Sequence, residues 1–122
     1  MDAAERSHLV SNLSSAFGGA EDVTPAADQP VHVLLPELEL PNPWTPSPTR
    51  ALTVWRNWPA ERPQFVIDAG VVGQAGQPPR SSDLVYLVGE GWRSFSFSFD
   101  WKGDDSVRVV QIWLTRFVVE TI

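Results

Sequence analysis

The sequence predicts an α+β domain, in which an antiparallel β-meander is flanked by an N-terminal and a C-terminal helix. Apolar residues recur at helical spacing near both ends of the chain. Three short apolar segments follow one another in the middle, at 31–35, 51–55 and 64–68. The chain has 122 residues, 43% of them hydrophobic and 20% charged, which suits a single globular domain over 1–122.

The first helix is predicted over residues 1–19. Its apolar stripe repeats every four residues and consists of Leu9, Leu13 and Phe17. Acidic residues near its start suit the helix dipole, and Gly18-Gly19 is a suitable stop. Residues 20–30 are polar and contain two prolines, so we expect a linker there.

The meander and the last helix are predicted over residues 31–122. The first apolar segment, 31–35, ends at Pro36, and the alternation of Leu38 and Leu40 with Glu37 and Glu39 is typical of a half-buried strand. The second strand covers 50–55 and the third covers 64–68. The loop at 42–48 contains three prolines, which cannot donate to a strand ladder.

The second half of the chain is harder to assign. Residues 69–79 are rich in Gly, Gln and Pro and predict a surface loop. An apolar element at 84–88 could be a strand or a helix, and 89–91 predicts a turn. Strict alternation over 94–101 predicts a strand with its aromatic residues on one face. We therefore expect three or four strands in total.

The last segment, 107–122, is predicted to be a helix. Its β-branched residues suit a strand, but its length and its helical stripe favour a helix. The stripe consists of Val110, Trp113, Leu114, Phe117 and Val118. An N-cap is available from Asp104, Asp105 or Ser106.

This order of elements resembles the fold of ubiquitin-conjugating enzymes (the UBC-like fold). Members of that family carry an aromatic-Pro pair and a further proline before the third strand. Here Trp58-Pro59 and Pro63 take those places. The family also carries a tryptophan, a loop and then an apolar helix, and Trp101 with the segment after it is similar.

Two further features resemble the prokaryotic branch of the family, whose genes tend to accompany ubiquitin-like proteins and activating enzymes. An apolar strand runs into Leu-Leu-Pro at Pro36, and a serine-rich stretch follows Trp92. Active members carry the ubiquitin-like protein on a cysteine thiolate, but this chain has no cysteine. The resemblance therefore implies a catalytically inactive member, and no enzymatic activity is expected.

For such a member the resemblance implies a role in protein–protein interaction. The expected partner is a ubiquitin-like protein, or an activating or conjugating enzyme, of a bacterial ubiquitin-like system. Candidate anchors for the partner are Trp44, Trp58 and Trp92. Trp44 lies in the proline-rich loop, where it is either folded back as a lid or offered to a partner.

The net charge of −6 supports a function of another class, an acidic immunity or inhibitor protein that neutralises a basic toxin enzyme. A hydrolase or transferase that uses a serine of 94–98, and a carbohydrate binder with exposed tryptophans, are weaker alternatives. Gene neighbourhood and serine-directed probes would separate these functions.

Composition argues against several other classes. The chain shows no basic patch, so we expect no nucleic-acid partner. Two histidines and no cysteine make a metal site improbable, and no phosphate-loop motif calls for a cofactor. No apolar run approaches the ~20 residues of a membrane span, and the first residues lack the apolar core expected of a signal peptide. A cytoplasmic protein is therefore expected, and the oligomeric state stays open.

Overall fold

A computed structural model describes residues 1–80, 82–87, 89–95 and 105–119. Within these residues the chain forms two helices and one six-stranded antiparallel sheet with the strand order β1-β2-β3-β4-β6-β5. The helices are α1 (Ala3–Phe17) and α2 (Ser106–Val119). The strands are β1 (Glu21–Asp22), β2 (Val31–Leu38), β3 (Thr49–Trp55), β4 (Gln64–Asp68), β5 (Ser82–Leu87) and β6 (Gly89–Phe95). The predicted α+β class is confirmed, with six strands where three or four were expected.

Helix α1 is capped at both ends, by the side chain of Asp2 at its start and by the backbone of Gly18 at its end. The carboxylate of Asp2 accepts a hydrogen bond from the backbone N–H of Glu5 at 2.8 Å, as an N-cap does. Gly18 ends the helix in the left-handed conformation, with φ of 75°. Leu9 and Leu13, two members of the predicted apolar stripe, are buried. The predicted N-terminal helix is confirmed.

The segment 20–30, predicted to be a linker, is tied to the sheet. Its residues Glu21 and Asp22 form β1, which pairs with β2. The carboxylate of Asp22 accepts hydrogen bonds from both the backbone N–H and the hydroxyl of Thr24, at 3.0 and 2.6 Å. Arg6 of α1 forms an ion pair with the same carboxylate. The polarity that suggested a linker thus serves to join α1 to the edge of the sheet.

The three predicted central strands, β2, β3 and β4, form the middle of the sheet. Strand β2 continues through Pro36, where the apolar segment was predicted to end, and includes Glu37 and Leu38 of the predicted alternating stretch. Its register against β3 shifts between Leu35 and Leu38, and β1 pairs only with residues 33–34 on its other side. Pro36 therefore lies at an irregular, edge-like position, where its missing N–H is tolerated.

Strands β5 and β6 form a hairpin, with β6 placed between β4 and β5. The turn predicted at residues 89–91 is instead the start of β6. Between the pairs Val85↔Trp92 and Leu87↔Gly89, β6 has one residue more than β5, so the bulge lies in β6. Gly89 and Gly91 have φ of 97° and 91°, a backbone region that glycine adopts readily. The strand predicted over 94–101 falls within the described residues only as far as Phe95.

Helix α2 confirms the helix prediction for the last segment, of which residues 120–122 lie outside the described residues. Asp105 caps it by accepting a hydrogen bond from the backbone N–H of Arg108 at 2.9 Å. The ring of Trp113 in this helix stacks on the ring of Phe65 in β4, with centroids 4.9 Å apart and an angle of 12° between the ring planes. No helix among the described residues is long and apolar enough to cross a membrane.

Both faces of the sheet bury apolar residues. The main core lies on the face that packs against α1 and α2, and a smaller cluster of Leu52, Val66 and Trp92 lies on the opposite face. Strand β3 supplies residues to both clusters, so nearly all of its side chains are buried. This explains why the apolar residues of β3, Ala51, Leu52, Val54 and Trp55, do not alternate with exposed polar ones.

Leu13 tests the packing of α1 on the sheet. Its side chain is fully buried, so Leu13→Ala should lower the free energy of unfolding by about 2–5 kcal/mol. Ser15→Ala, on the exposed side of the same helix, should change it by less than about 0.5 kcal/mol. Chemical denaturation of both variants measures the difference. Equal effects of the two substitutions would contradict this packing.

Asp22 gives the stability a pH dependence. Hydrogen bonds from Arg6, and then from Thr24, outweigh desolvation and hold the pKa of Asp22 well below its ordinary value of 3.8. Because the folded-state pKa is depressed, the stabilisation is present above the unfolded-state pKa and is lost as the pH falls. The stability difference between the wild type and Asp22→Asn should be constant above about pH 5 and shrink below about pH 4.

Denaturation midpoints measured from pH 7 to pH 2 would show this difference. Arg6→Gln should flatten the acid limb in the same way, because it removes the largest cause of the lowered pKa. Parallel profiles of the wild type and Asp22→Asn down to pH 2 would show that the ion pair contributes nothing.

Candidate functional site

Trp44 is folded back onto the protein. Only 4% of it is exposed, and its ring meets Phe117 edge-on, with centroids 5.5 Å apart. Its indole N–H donates a hydrogen bond to the backbone carbonyl of Phe117 at 2.7 Å. That carbonyl belongs to the last described turn of α2. Of the two alternatives that the sequence left open, Trp44 is therefore folded back as a lid, with almost all of its surface buried.

The loop at 69–80 closes over Trp44 from the other side. Thr45 and Val72 exchange two backbone hydrogen bonds of 2.9 Å. A Cβ atom added to Gly73 would lie 3.3 Å from the indole ring, so only a glycine lets the loop come this close without displacing the ring. The two loops and the end of α2 thus form one packed unit around Trp44.

Trp92 is also buried, with 3% of its surface exposed, on the face of the sheet opposite the helices. The guanidinium carbon of Arg50 lies 4.0 Å from the centre of its ring, a cation–π contact. Arg50 also donates to Asp68 at 2.6 Å and to the carbonyl of Gly91 at 3.1 Å. Arg50 therefore joins β3 to β4 and β6, and Trp92 is part of this contact rather than an exposed anchor.

The carboxyl group of Asp68 is ionised at neutral pH, because its pKa lies below its ordinary value. Desolvation raises its pKa, but hydrogen bonds from Arg50 and from the backbone N–H of Gly70 outweigh that effect and leave the pKa below its ordinary value. Arg50 and Asp68 therefore form a structural ion pair. An ionised carboxylate has no proton to donate, so Asp68 is not a general acid.

Trp58 is the one of the three candidate anchors that keeps an exposed side. It is half-buried, and its ring meets Trp55 edge-on with centroids 4.7 Å apart. It belongs to the turn between β3 and β4, in which Asn57 has φ of 51° and its carbonyl accepts from the N–H of Ala60 at 2.8 Å. The turn holds the indole against the core on one side and leaves part of it at the surface.

Trp58 forms one wall of a groove of about 350 Å³ between α1, the turn and the start of α2. The described residues that line it are Glu5, His8, Leu9, Asn12, Trp58, Pro59, Asp105 and Ser106. We call it the Trp58 groove. Two carboxylates, Glu5 and Asp105, and no arginine or lysine occur among these residues. The groove therefore combines an aromatic wall with negative charge, which suits a cationic side chain.

The elements explain why these side chains meet. Residues Glu5, His8 and Asn12 follow one another at spacings of three and four on α1, so they share one side of the helix. Leu9, next to that side, is buried in the core and fixes the rotation of the helix. Asp105 is held in place by its cap hydrogen bond to α2. The groove is thus assembled by the packing of α1 and α2.

Of the other residues of the predicted family motif, Pro59 lines the Trp58 groove, and Pro36 and Pro63 are not among the residues that line it. Pro36 lies in β2, Pro59 is exposed in the turn, and Pro63 is buried immediately before β4. Trp101 lies outside the described residues, as do Ser96 and Ser98 of the serine-rich stretch. Ser94 is half-buried on β6.

The residues that the structure describes contain no group of three or more His, Asp or Glu side chains that could hold a metal ion. With no cysteine in the sequence, a thioester cannot form on this chain.

One surface was missed by the sequence analysis. Leu84 and Tyr86 of β5 are 69% and 73% exposed. In the sequence they belong to a short apolar run, which is typical of a buried element, so no pattern marked them as surface residues.

Comparisons of the chain with protein-family models, with curated proteins and with solved structures gave no match. The fold class and the groove are therefore the observations from which a function must be argued.

Trp44 can be tested as a structural residue. Trp44→Phe keeps an aromatic ring but removes the donor to the carbonyl of Phe117 and part of a buried side chain, so we expect a loss of at least about 1–2 kcal/mol in the free energy of unfolding. Tyr86→Phe, which removes a polar group from an exposed ring, should leave stability within about 0.5 kcal/mol. Thermal and denaturant unfolding measure both. No loss in Trp44→Phe would mean that the hydrogen bond from the indole to α2 does not stabilise the fold.

Proposed function

We propose that this protein is a non-catalytic, UBC-like interaction module of a bacterial ubiquitin-like system. It binds a ubiquitin-like protein, or an activating or conjugating enzyme that acts on one. The absence of cysteine supports a binding role over thioester transfer. An N-terminal helix packed on an antiparallel sheet, with a Trp-Pro turn before β4 and a helix after the sheet, is consistent with the sequence resemblance.

The Trp58 groove is the observation that carries this proposal. Buried aromatic anchors dominate many protein interfaces, and Trp58 is already held on one side by Trp55 and the core. A partner residue that packs against its exposed part would therefore meet a ring with little rotamer freedom left to lose.

The charge of the groove defines the partner residue. A lysine or arginine could lay its aliphatic stem along the indole and place its charged end near Glu5 and Asp105. The net charge of −6 favours approach of a basic surface in the same way. We therefore infer that the partner presents a basic residue to this groove.

The acidic surface also keeps a second function open, that of an immunity or inhibitor protein for a basic toxin enzyme. The observation that favours it is again the net charge of −6. Both functions predict salt-sensitive binding, so the identity and the fate of the partner separate them.

The experiment is an affinity capture from native lysate with the whole chain as bait. We expect capture of a ubiquitin-like protein or of its activating or conjugating enzyme. Glu5→Lys should weaken that capture about tenfold, because it reverses a charge in the groove at an exposed helix position. Glu37→Lys, the same reversal at an exposed position of β2 outside the groove, should leave it unchanged.

Trp58→Ala should abolish the capture, and circular dichroism shows whether that variant is folded. Capture of a single basic enzyme that loses its activity would replace the proposed function with the inhibitor function. Equal loss in Glu5→Lys and Glu37→Lys would show that only overall charge matters and that the groove is not the site.

A further inference from the structure

An exposed apolar pair lies on the edge strand β5. Leu84 and Tyr86, at 69% and 73%, are the most exposed large apolar side chains of the described residues. They are two residues apart, so they share one face of β5. Leu84 pairs with Arg93, and Arg93 pairs with Ile67 of the main core, so this is the face that carries the helices. Within the described residues no strand lies beyond β5.

The other edge of the sheet is built differently. Strand β1 has only two residues, both acidic, and the part of β2 that runs past it contains Pro36. Short strands, charges and prolines are the means by which proteins prevent sheets from pairing at their edges. Strand β5 has six residues, no proline and a single charge, Asp83. The bulge of the hairpin lies in β6, so β5 itself keeps a regular alternation.

We propose that β5 pairs antiparallel with β5 of a second copy of this chain, around a two-fold axis at Val85. The two six-stranded sheets would then form one continuous sheet of twelve strands. In this register Leu84 lies opposite Tyr86 of the second copy, and Tyr86 lies opposite Leu84 of the second copy. The same patch serves both copies, as a two-fold interface requires.

The sequence of β5 favours this register. An antiparallel pair places directly opposed residues on one face, so each exposed apolar side chain needs an apolar residue opposite it. Pairing around Val85 achieves this for Leu84 and Tyr86 at once and places Asp83 opposite Leu87, with no like charges opposed. Pairing around Leu84 would instead place Tyr86 opposite Ser82. The self-complementarity of β5 is the reason for choosing a second copy as the occupant.

The dimer is expected to be weak. One pair of six-residue strands buries less than the ~1,200 Å² of a standard interface, a size typical of transient complexes. We expect a dissociation constant between about 10 µM and 1 mM. No residue of β5 lines the Trp58 groove among the described residues, so dimerisation and partner binding use separate surfaces and can fail independently.

Sedimentation velocity of the whole chain over this concentration range tests the pairing. The wild type should shift from monomer to dimer. Leu84→Lys and Tyr86→Glu should each weaken the dimer about tenfold or more, because a symmetric dimer contains each substitution twice and so loses both Leu84–Tyr86 contacts. Val118→Lys, at an exposed apolar position on α2, is the matched control and should dimerise as the wild type does.

A mixture of the Leu84→Lys and Tyr86→Glu chains tests the register. It places the new lysine opposite the new glutamate on one side of the axis and keeps a Leu84–Tyr86 pair on the other. The mixture should therefore associate more strongly than either variant alone. A wild type that stays monomeric up to about 1 mM would overturn the proposal. So would a dimer unaffected by both substitutions, or a mixture that regains nothing.

Discussion

The attachment of α2 to the sheet depends on a continuous series of contacts between aromatic rings. Phe65 of β4 stacks on Trp113, Trp113 meets Phe117 edge-on with centroids 5.5 Å apart, and Phe117 meets Trp44. Trp113 and Phe117 are fully buried and lie one helical turn apart, so they fix the rotation of α2 as well as its position. The contact between Phe117 and Trp44, the last in this series of rings, joins the proline-rich loop to α2.

The Trp58 groove follows from the same packing. The face of α1 that carries Leu9 and Leu13 enters the core, and the neighbouring face is left at the surface beside the start of α2. Trp58 closes the groove because its ring rests on Trp55, which is itself in the core. The groove is therefore a consequence of how two helices and one turn pack, and its acidic residues cost the fold little because they remain exposed.

The parts of this fold that the sequence predicts are those with a strong local period. Helix α1, the three central strands and α2 were all predicted, because the apolar stripe of Leu9 and Leu13 and the β-branched runs are local signals. The strand β1 was missed, because its two acidic residues are ordered by Arg6 and by β2, which are distant in sequence. The turn predicted at 89–91 is part of β6, because glycines with positive φ occur in β-bulges as well as in turns.

The candidate site was predictable only in part. Trp58 could be proposed from its proline-bounded turn, but the carboxylates beside it come from α1 and from the start of α2. Their meeting depends on tertiary packing, which no local pattern contains. The burial of Trp92 depends likewise on Arg50, 42 positions earlier in the chain. The UBC-like fold and its implied function stay a prediction, since no comparison tests them.

The most direct test of the central claim is a two-dimensional NMR titration with the captured partner, read at the indole N–H signals of the six tryptophans. If the Trp58 groove is the binding site, the Trp58 signal and the backbone signals of Glu5 and His8 should shift together and saturate. The indole signals of Trp44 and Trp92, which are buried, should stay in place. Saturable shifts that avoid Trp58 and α1 would contradict the groove as the binding site.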